Sequence, residues 1–188
     1  MRLFVAFEVP SAIRAEIGAR VATLRESLPR ARWVSPEAMH LTLVFLGEVN
    51  GERLPDLESA GTAAVAGEAP LRLRVGAAGS FPAGRPARVA WLGLDSDREL
   101  APLARRLAED CGRAASVEVE NKPYHPHLTL ARCDPPWPRA AVADLGRAFS
   151  GGVGEPFAVA EAVLFRSTLG QGPARHEALQ HWPLGGAR

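Results

Sequence analysis

Residues 40–48 read HLTLVFLGE and residues 127–135 read HLTLARCDP. The tetrapeptide HLTL therefore occurs twice, 87 positions apart, in a chain of 188 residues. Each copy opens an apolar, strand-like run. Side chains at i and i+2 of a strand emerge on one face. His40 and Thr42 thus stand side by side, and so do His127 and Thr129. Leu41, Leu43, Leu128 and Leu130 point the other way, toward a core between sheet and helices.

The segments around the two copies also repeat. RLFVAFE (2–8) predicts a strand, and Pro10-Ser11 opens a helix that Ser11 can cap, with Ile13, Ile17, Val21, Leu24 and Leu28 at helical spacing. The first motif strand follows at about 40–46. A helix over 52–67 carries Leu54, Leu57 and Ala64; LRLRV (71–75) alternates as a strand, and GSFPAGRP (79–86) is a loop signal. The second half runs in the same order. RVAWLGL (88–94) is a strand, and Ser96 and Glu99 have capping-box spacing before Leu100, Leu103, Leu107 and Cys111. Pro102 argues for a helix start one turn later. The second motif strand (125–132), a helix with Val142, Leu145 and Phe149 inward, a strand over 157–167 and a last strand over 174–182 complete it. Arg2 precedes His40 by 38 residues and Arg88 precedes His127 by 39; the following strands begin 31 and 30 residues after the histidines. Two β-α-β-α-β halves with matched spacing indicate an internal duplication, with repeats at approximately 1–86 and 87–188 forming one bilobal domain.

Composition narrows the function. A hydrophobic content of 47% supports a proper core, and a net charge of +1 lacks the electrostatic footprint of a general nucleic-acid coat protein, while allowing a compact site for one phosphate. Of the 22 basic residues only Lys122 is lysine, and its setting, NKPY, matches neither a lysine nucleophile nor a phosphate-loop lysine. Cys111 and Cys133 form no CxxC pair and read as two reduced, partly buried thiols. MRLFVAFEVP reaches Glu8 and Pro10 too soon for a signal peptide, and no run approaches the roughly 20 apolar residues of a membrane span. A cytoplasmic protein is expected.

A duplicated half packed about a pseudo-twofold axis presents two imidazoles and two hydroxyls across one cleft. Displacement at a phosphodiester needs that set: a base to activate the nucleophile and an acid to protonate the leaving oxygen. Histidine serves both roles, because its pKa of about 6.5 populates both protonation states near neutrality. Threonine hydroxyls and an arginine hold the non-bridging oxygens. No metal or other cofactor is required, and two histidines without a third clear ligand make an incomplete zinc site. His125 shares the face of His127 but lacks a threonine partner in the first half and reads as a loop-end polar residue. His176 and His181 read as surface residues.

The chain resembles the 2H phosphoesterase superfamily, and within it the LigT-like RNA 2′,3′-cyclic phosphodiesterases, also called 2′-5′ RNA ligases. The resemblance rests on the two HxT motifs and on MRLFVAFEVP, RWVSPEAMHLTLVFLGEV, RVAWLGL, PYHPHLTLAR and LFRSTLGQGP. It implies a bilobal α+β fold, with two antiparallel sheets flanked by helices around a central cleft. It also implies hydrolysis of a 2′,3′-cyclic phosphate at an RNA end to a 2′-phosphate. His40 would then be the proton donor, His127 the proton acceptor, and Thr42, Thr129 and Arg132 phosphate ligands. Phe45 falls where an aromatic stacks on the nucleobase, and with Arg132 would sandwich the base. Symmetry leaves the two histidine roles interchangeable.

Two points complicate this transfer. Simple alternation puts Phe45 and Arg132 on the face opposite the histidines, so a bulge or strand end is needed to bring them round. ENKPYHPH (120–127) also departs from the family's arginine-proline-phenylalanine lead, which predicts an altered cleft rim. The rival readings are joining or cleaving 2′-5′ RNA linkages, hydrolysis of a small cyclic nucleotide or an ADP-ribose cyclic phosphate, and a non-catalytic RNA-end binding module. A monomer is expected, since the pseudo-symmetry lies within one chain; the partners expected are RNA ends or nucleotides, with no protein or membrane partner. With one histidine neutral and the other protonated, a bell-shaped rate profile over roughly pH 5.5–8 is expected.

Overall fold

A computed structural model describes residues 1–120, 122–168 and 174–185. Asn121 and the 169–173 part of LFRSTLGQGP lie outside the described residues. The elements are β1 (Arg2–Glu8), α1 (Ser11–Leu24), β2 (Arg32–Trp33), β3 (His40–Glu48), α2 (Leu54–Val65), β4 (Leu71–Phe81), β5 (Ala87–Ser96), α3 (Ala101–Ala115), β6 (His127–Trp137), α4 (Arg139–Ala148), β7 (Val153–Val159), β8 (Glu161–Thr168) and β9 (Arg175–Pro183). Two antiparallel sheets result, ordered β3-β1-β8-β9 and β2-β6-β5-β4-β7. This is the α+β, two-sheet architecture expected.

The two halves exchange elements. β4, at the end of the first half, pairs with β5 and β7 in the second sheet, whereas β8 and β9 extend the first. Helices cross over too: α2 and α3 lie together against β9 and β3, while α1 and α4 pack on β7, β4 and β5. Neither lobe is therefore built from one repeat. The strand expected over 157–167 is two strands in different sheets, because the chain crosses between the sheets at Ala160. The Ala160 carbonyl accepts a hydrogen bond from the Leu184 N–H at 2.7 Å. FAVAEAVLF is apolar on both sides of that crossing, so its pattern does not reveal it.

Local chemistry corrects other boundaries. Pro10, with φ −52°, occupies the N-cap of α1 and Ser11 is the first helical residue, with no side-chain cap. α3 begins at Ala101, about one turn past Ser96 as Pro102 argues, with Pro102 in its first turn, where a missing N–H costs nothing. β4 continues through Gly79–Phe81, so the loop signal at 79–86 holds only from Pro82. In LRLRV the alternation is realised: Leu71, Leu73 and Val75 are buried, and Arg72 and Arg74 are exposed.

One apolar cluster runs through both sheets and all four helices, from Leu3, Val5 and Phe7 through Leu41 and Leu107 to Leu128, Trp137 and Leu145. A second, smaller cluster, Phe4, Ala6, Val163 and Phe165, covers the opposite face of the first sheet. Cys111 and Cys133 are buried and unpaired, and burial pushes the Cys111 thiol up to about 12. No helix among the described residues is long and apolar enough to cross a membrane.

Tyr124 joins the two motif strands. Its hydroxyl donates to the Thr42 carbonyl at 3.0 Å, from a segment 82 positions away in the chain. Burial raises the phenol pKa, so the group is a neutral donor. Tyr124 therefore acts as a strut between β3 and the approach to β6. Tyr124→Phe is expected to lower stability by about 1 kcal/mol, the net value of one hydrogen bond, as measured by urea unfolding.

Candidate active site

Each motif histidine stands at the first residue of its strand, where the backbone turns in. The Nδ1–H of His40 donates to the Ala38 carbonyl at 2.8 Å, and that of His127 to the His125 carbonyl at 2.7 Å. The carbonyl two residues back selects the same tautomer in both rings and leaves both Nε2 atoms free. Thr42 and Thr129 follow on the same faces, both half-buried, above leucines that are fully or almost fully buried.

A bulge then changes the parity of each strand. In β3, Thr42 opposes Ala6 but Val44 opposes Val5, so Leu43 is an extra residue; Phe45 then opposes Phe4. In β6, Thr129 opposes Trp91 but Ala131 opposes Ala90, so Leu130 is extra; Arg132 then opposes Val89. Residues paired across a ladder share a face. Phe45 consequently returns to the face of His40 and Thr42, and Arg132 to that of His127 and Thr129. Burial agrees: Leu43–Val44 and Leu130–Ala131 are consecutive buried pairs, whereas Phe45 is 47% exposed and Arg132 is exposed. The bulge that both residues required is present, in equivalent places.

The surroundings contain residues that the motifs did not reveal. His40 stacks on Phe4, centroids 4.6 Å apart at 28°, and Phe4 in turn on Phe165. Around His127 stand Phe81, edge-on at 5.1 Å, and Trp91 at 6.1 Å. Phe4 and Trp91 are related by the same 87-residue offset as the histidines, which is the sequence signal that would have found Trp91. His125 is exposed, as its loop-end reading supposed, but its ring packs 5.0 Å from Trp91. Arg32 of β2 opposes Arg132 in the ladder, so the two arginines share a face. The guanidinium of Arg2 lies 4.7 Å from the Phe45 centroid and caps one side of that ring. Past Phe45, a cavity of about 340 Å³ is lined by Met1, Arg2, Glu48, Arg166, Ser167 and Thr168, and by neither histidine.

His176 is misplaced by the sequence reading. It is half-buried, not a surface residue, and its ring stands edge-on to His40 and to Phe4, each at 5.0 Å. Alternation could not show this, because β9 reaches His40 only through sheet pairing with β8. His181 does lie at the surface, bonded to Glu161 at 3.0 Å. Among the described residues no group of three His, Cys, Asp or Glu side chains is disposed to hold a metal ion.

Burial dominates the electrostatics. It lowers the His40 pKa to about 4, helped by the charge of His176 and, less, of His127, and opposed by the Ala38 hydrogen bond. His127 is also lowered, by burial and by His125 and Arg132, against the His125 carbonyl. Both rings are thus neutral near pH 7, each with an accepting Nε2. Two such rings, two hydroxyls and a guanidinium thus stand on the facing sides of the two sheets.

Residues 9–171 match the model of the 2′-5′ RNA ligase superfamily, and the chain belongs to that family. The RNA 2′,3′-cyclic phosphodiesterase of Escherichia coli K12 is 33% identical over 97% of this chain and 96% of its own length. The one from Geobacillus stearothermophilus is 30% identical over 98% of this chain, which spans 57% of that relative's length. Among solved structures, TT0787 of Thermus thermophilus aligns over 100% of both chains with a TM-score of 0.77 and 30% identity. E. coli LigT complexed with 3′-AMP aligns over 98% of each chain, with a TM-score of 0.74 and 30% identity.

Close packing under His127 leaves no room at Gly79, where an added Cβ would meet the Trp91 ring at 2.2 Å. Gly79→Ala is expected to displace Trp91 and to cost about 1–3 kcal/mol. Urea unfolding and the tryptophan emission spectrum would check this.

Proposed function

We propose that this protein hydrolyses 2′,3′-cyclic phosphates at RNA ends to 2′-phosphates, with His40 and His127 as its acid–base pair. The observation that carries the reading is the matched hydrogen bonding of the two rings. Each Nδ1–H is held by the carbonyl two residues back, so each Nε2 is available to exchange a proton beside a threonine hydroxyl.

In this mechanism one imidazole removes a proton from water as its oxygen bonds to phosphorus. The P–O3′ bond breaks and the second imidazole, as imidazolium, protonates O3′. The product is a 2′-phosphate with a free 3′-hydroxyl, and the two rings end in exchanged protonation states that solvent resets. In the assignment carried over from the family, His40 is the donor and His127 the acceptor. The depressed pKa of His40 then requires its proton to be taken up with the anionic phosphate, which stabilises an adjacent imidazolium. Thr42 and Thr129 donate to non-bridging oxygens, and Arg132, with Arg32 on the same face, neutralises their charge. The nucleobase stacks on the free side of Phe45. No metal enters any step. Microscopic reversibility lets the same pair form or cleave a 2′-5′ linkage, consistent with the superfamily's description.

One chain carries both histidines, so a monomer suffices, acting in the cytoplasm on RNA ends. Tyr124, which stands in the lead to the second motif, braces the backbone of Thr42. The departure there alters the rim without removing the motif, and a non-catalytic RNA-end binder would need only part of what is kept.

Incubation with adenosine 2′,3′-cyclic phosphate and with a short RNA ending in one is expected to yield 2′-phosphate, resolved chromatographically from 3′-phosphate. His40→Ala and His127→Ala should each lower the rate by about 10²–10⁴-fold, the usual contribution of a general acid or base. Absence of turnover with tight end binding would instead establish a binding module.

The pH dependence follows from burial. Burial disfavours each imidazolium, so each ring loses its proton at lower pH than an exposed histidine. In kcat/KM, which reports the free protein, one limb should lie near about 4 and the other below 6.5. The bell therefore sits acid of the window for unperturbed histidines, whichever ring is the acid. In kcat, bound phosphate should move the limbs upward. An optimum of kcat/KM above pH 7 would contradict this electrostatic account.

A further inference from the structure

Three features lie outside the proposed mechanism: the cavity beyond Phe45, the aromatic group around His125, and His176. The cavity mixes Arg2 and Arg166 with Glu48, and Arg166 is already paired with Glu177. His125 is exposed and touches only Trp91 and Phe81 among the described rings. His176 is different, because it contacts a residue of the acid–base pair and its bonding is incomplete.

His176 lies on β9 opposite Ser167 of β8, at the point where the first sheet faces the cleft. Its ring stands edge-on to His40, 5.0 Å between centroids at 88°, and edge-on to Phe4, 5.0 Å at 82°. His40 is thus enclosed on two sides, by the flat face of Phe4 and by the His176 ring. The Nδ1 atom of His176 is buried and has no hydrogen-bond partner among the described residues. A neutral imidazole tolerates that position, by placing its lone pair there. An imidazolium would bury an unpaired N–H as well as a charge, at a cost comparable to losing a hydrogen bond to a charged group.

The charges around the pair are few. On β1 the residues against it are Phe4 and Ala6, with Glu8 the ladder partner of His40 on the same face and Arg2 opposite Ser167. From β8 comes the uncharged Ser167, and on β9 the neighbours of His176 are Arg175 and Glu177, the latter paired with Arg166. Across the cleft stand His127 and Arg132. Among the described residues no carboxylate is hydrogen-bonded to either ring; His40 bonds the Ala38 carbonyl instead. A proton on His40 is therefore held by no carboxylate hydrogen bond among the described residues, while a proton on His176 opposes it.

We propose that His176 is a third imidazole of this site, a positioning residue that clamps the His40 ring and makes proton uptake by His40 contingent on an anion entering the cleft. It rests on the reading of His40 as one of the acid–base pair. Without anion, two close imidazoles compete for one proton in an apolar setting: both are neutral near neutral pH, and on acidification a proton on one opposes a second on the other. A phosphate supplies the missing countercharge and protonates His40 at the moment when an acid is needed. The direction of both pKa shifts, downward by burial, agrees with this.

The test uses the whole chain and needs no turnover. Imidazole signals of His40 are followed by NMR from about pH 3 to pH 8, with and without inorganic phosphate. His176→Phe keeps a ring against Phe4 and His40 but removes the titrating nitrogens, and His176→Asn is the second variant should the first not fold. The expected result is a His40 midpoint raised by roughly one pH unit in the variant, the size of a close-charge effect. The upward shift produced by phosphate should be correspondingly smaller than in the parent, and the acid limb of kcat/KM should move with the midpoint. An unchanged His40 midpoint in a folded variant would overturn the inference, even if the rate fell. A raised midpoint in a protein that does not turn over cyclic phosphate would uphold the coupling and remove the proposed function instead.

Discussion

The extra residue in each motif strand is the constraint on which this site depends. A strand has a side-chain period of two, so a histidine and the residue five positions later must lie on opposite faces. Leu43 and Leu130 each break the ladder once, and the chain resumes with its parity reversed. Phe45 and Arg132 join the histidines because of it. The bulges also let two successive apolar residues face the core, so the reversal is anchored by burial as well as by backbone hydrogen bonding.

A second constraint sits at the start of the same strands. The carbonyls of Ala38 and His125 orient the two rings before any substrate arrives, at 2.8 and 2.7 Å. The aromatic floors differ, however. Phe4 lies flat against His40 with Phe165 beside it on the neighbouring strand, whereas Trp91 spreads over Gly79 and meets His127 from the side. His40 is more enclosed, and its proton is correspondingly harder to hold. Identical tetrapeptides thus become chemically unequal histidines. That inequality originates in the residues at positions 4, 79, 91 and 176, all outside the motifs.

Exchange of elements between the halves makes the cleft one object. Each sheet contains strands from both repeats, and each helix pair takes one helix from either repeat. Separating the lobes would open the shared core that runs from Leu3 to Leu145. The Tyr124 hydroxyl adds a polar tie to the Thr42 backbone at the mouth of the cleft. The spacing between motif strands is therefore maintained by packing throughout the chain.

The repeated HLTL, its flanking periodicity and the matched spacings were enough to read the fold class, most strands and helices, and the shared face of His40 with Thr42 and of His127 with Thr129. These are local properties: a period of two or 3.6 is written in the order of residues. Tertiary structure decided what depends on pairing between distant segments. The bulges at Leu43 and Leu130 are visible only as register shifts against β1 and β5, so the faces of Phe45 and Arg132 were open until partners were known. The crossing at Ala160 lies inside one unbroken apolar run, because both sheets bury the same kinds of side chain. His176 sits in a polar stretch and looks exposed, yet pairing of β9 with β8 carries it to His40 from the far end of the chain. Which atoms meet is set by sheet order, and sheet order is a property of the whole folded core.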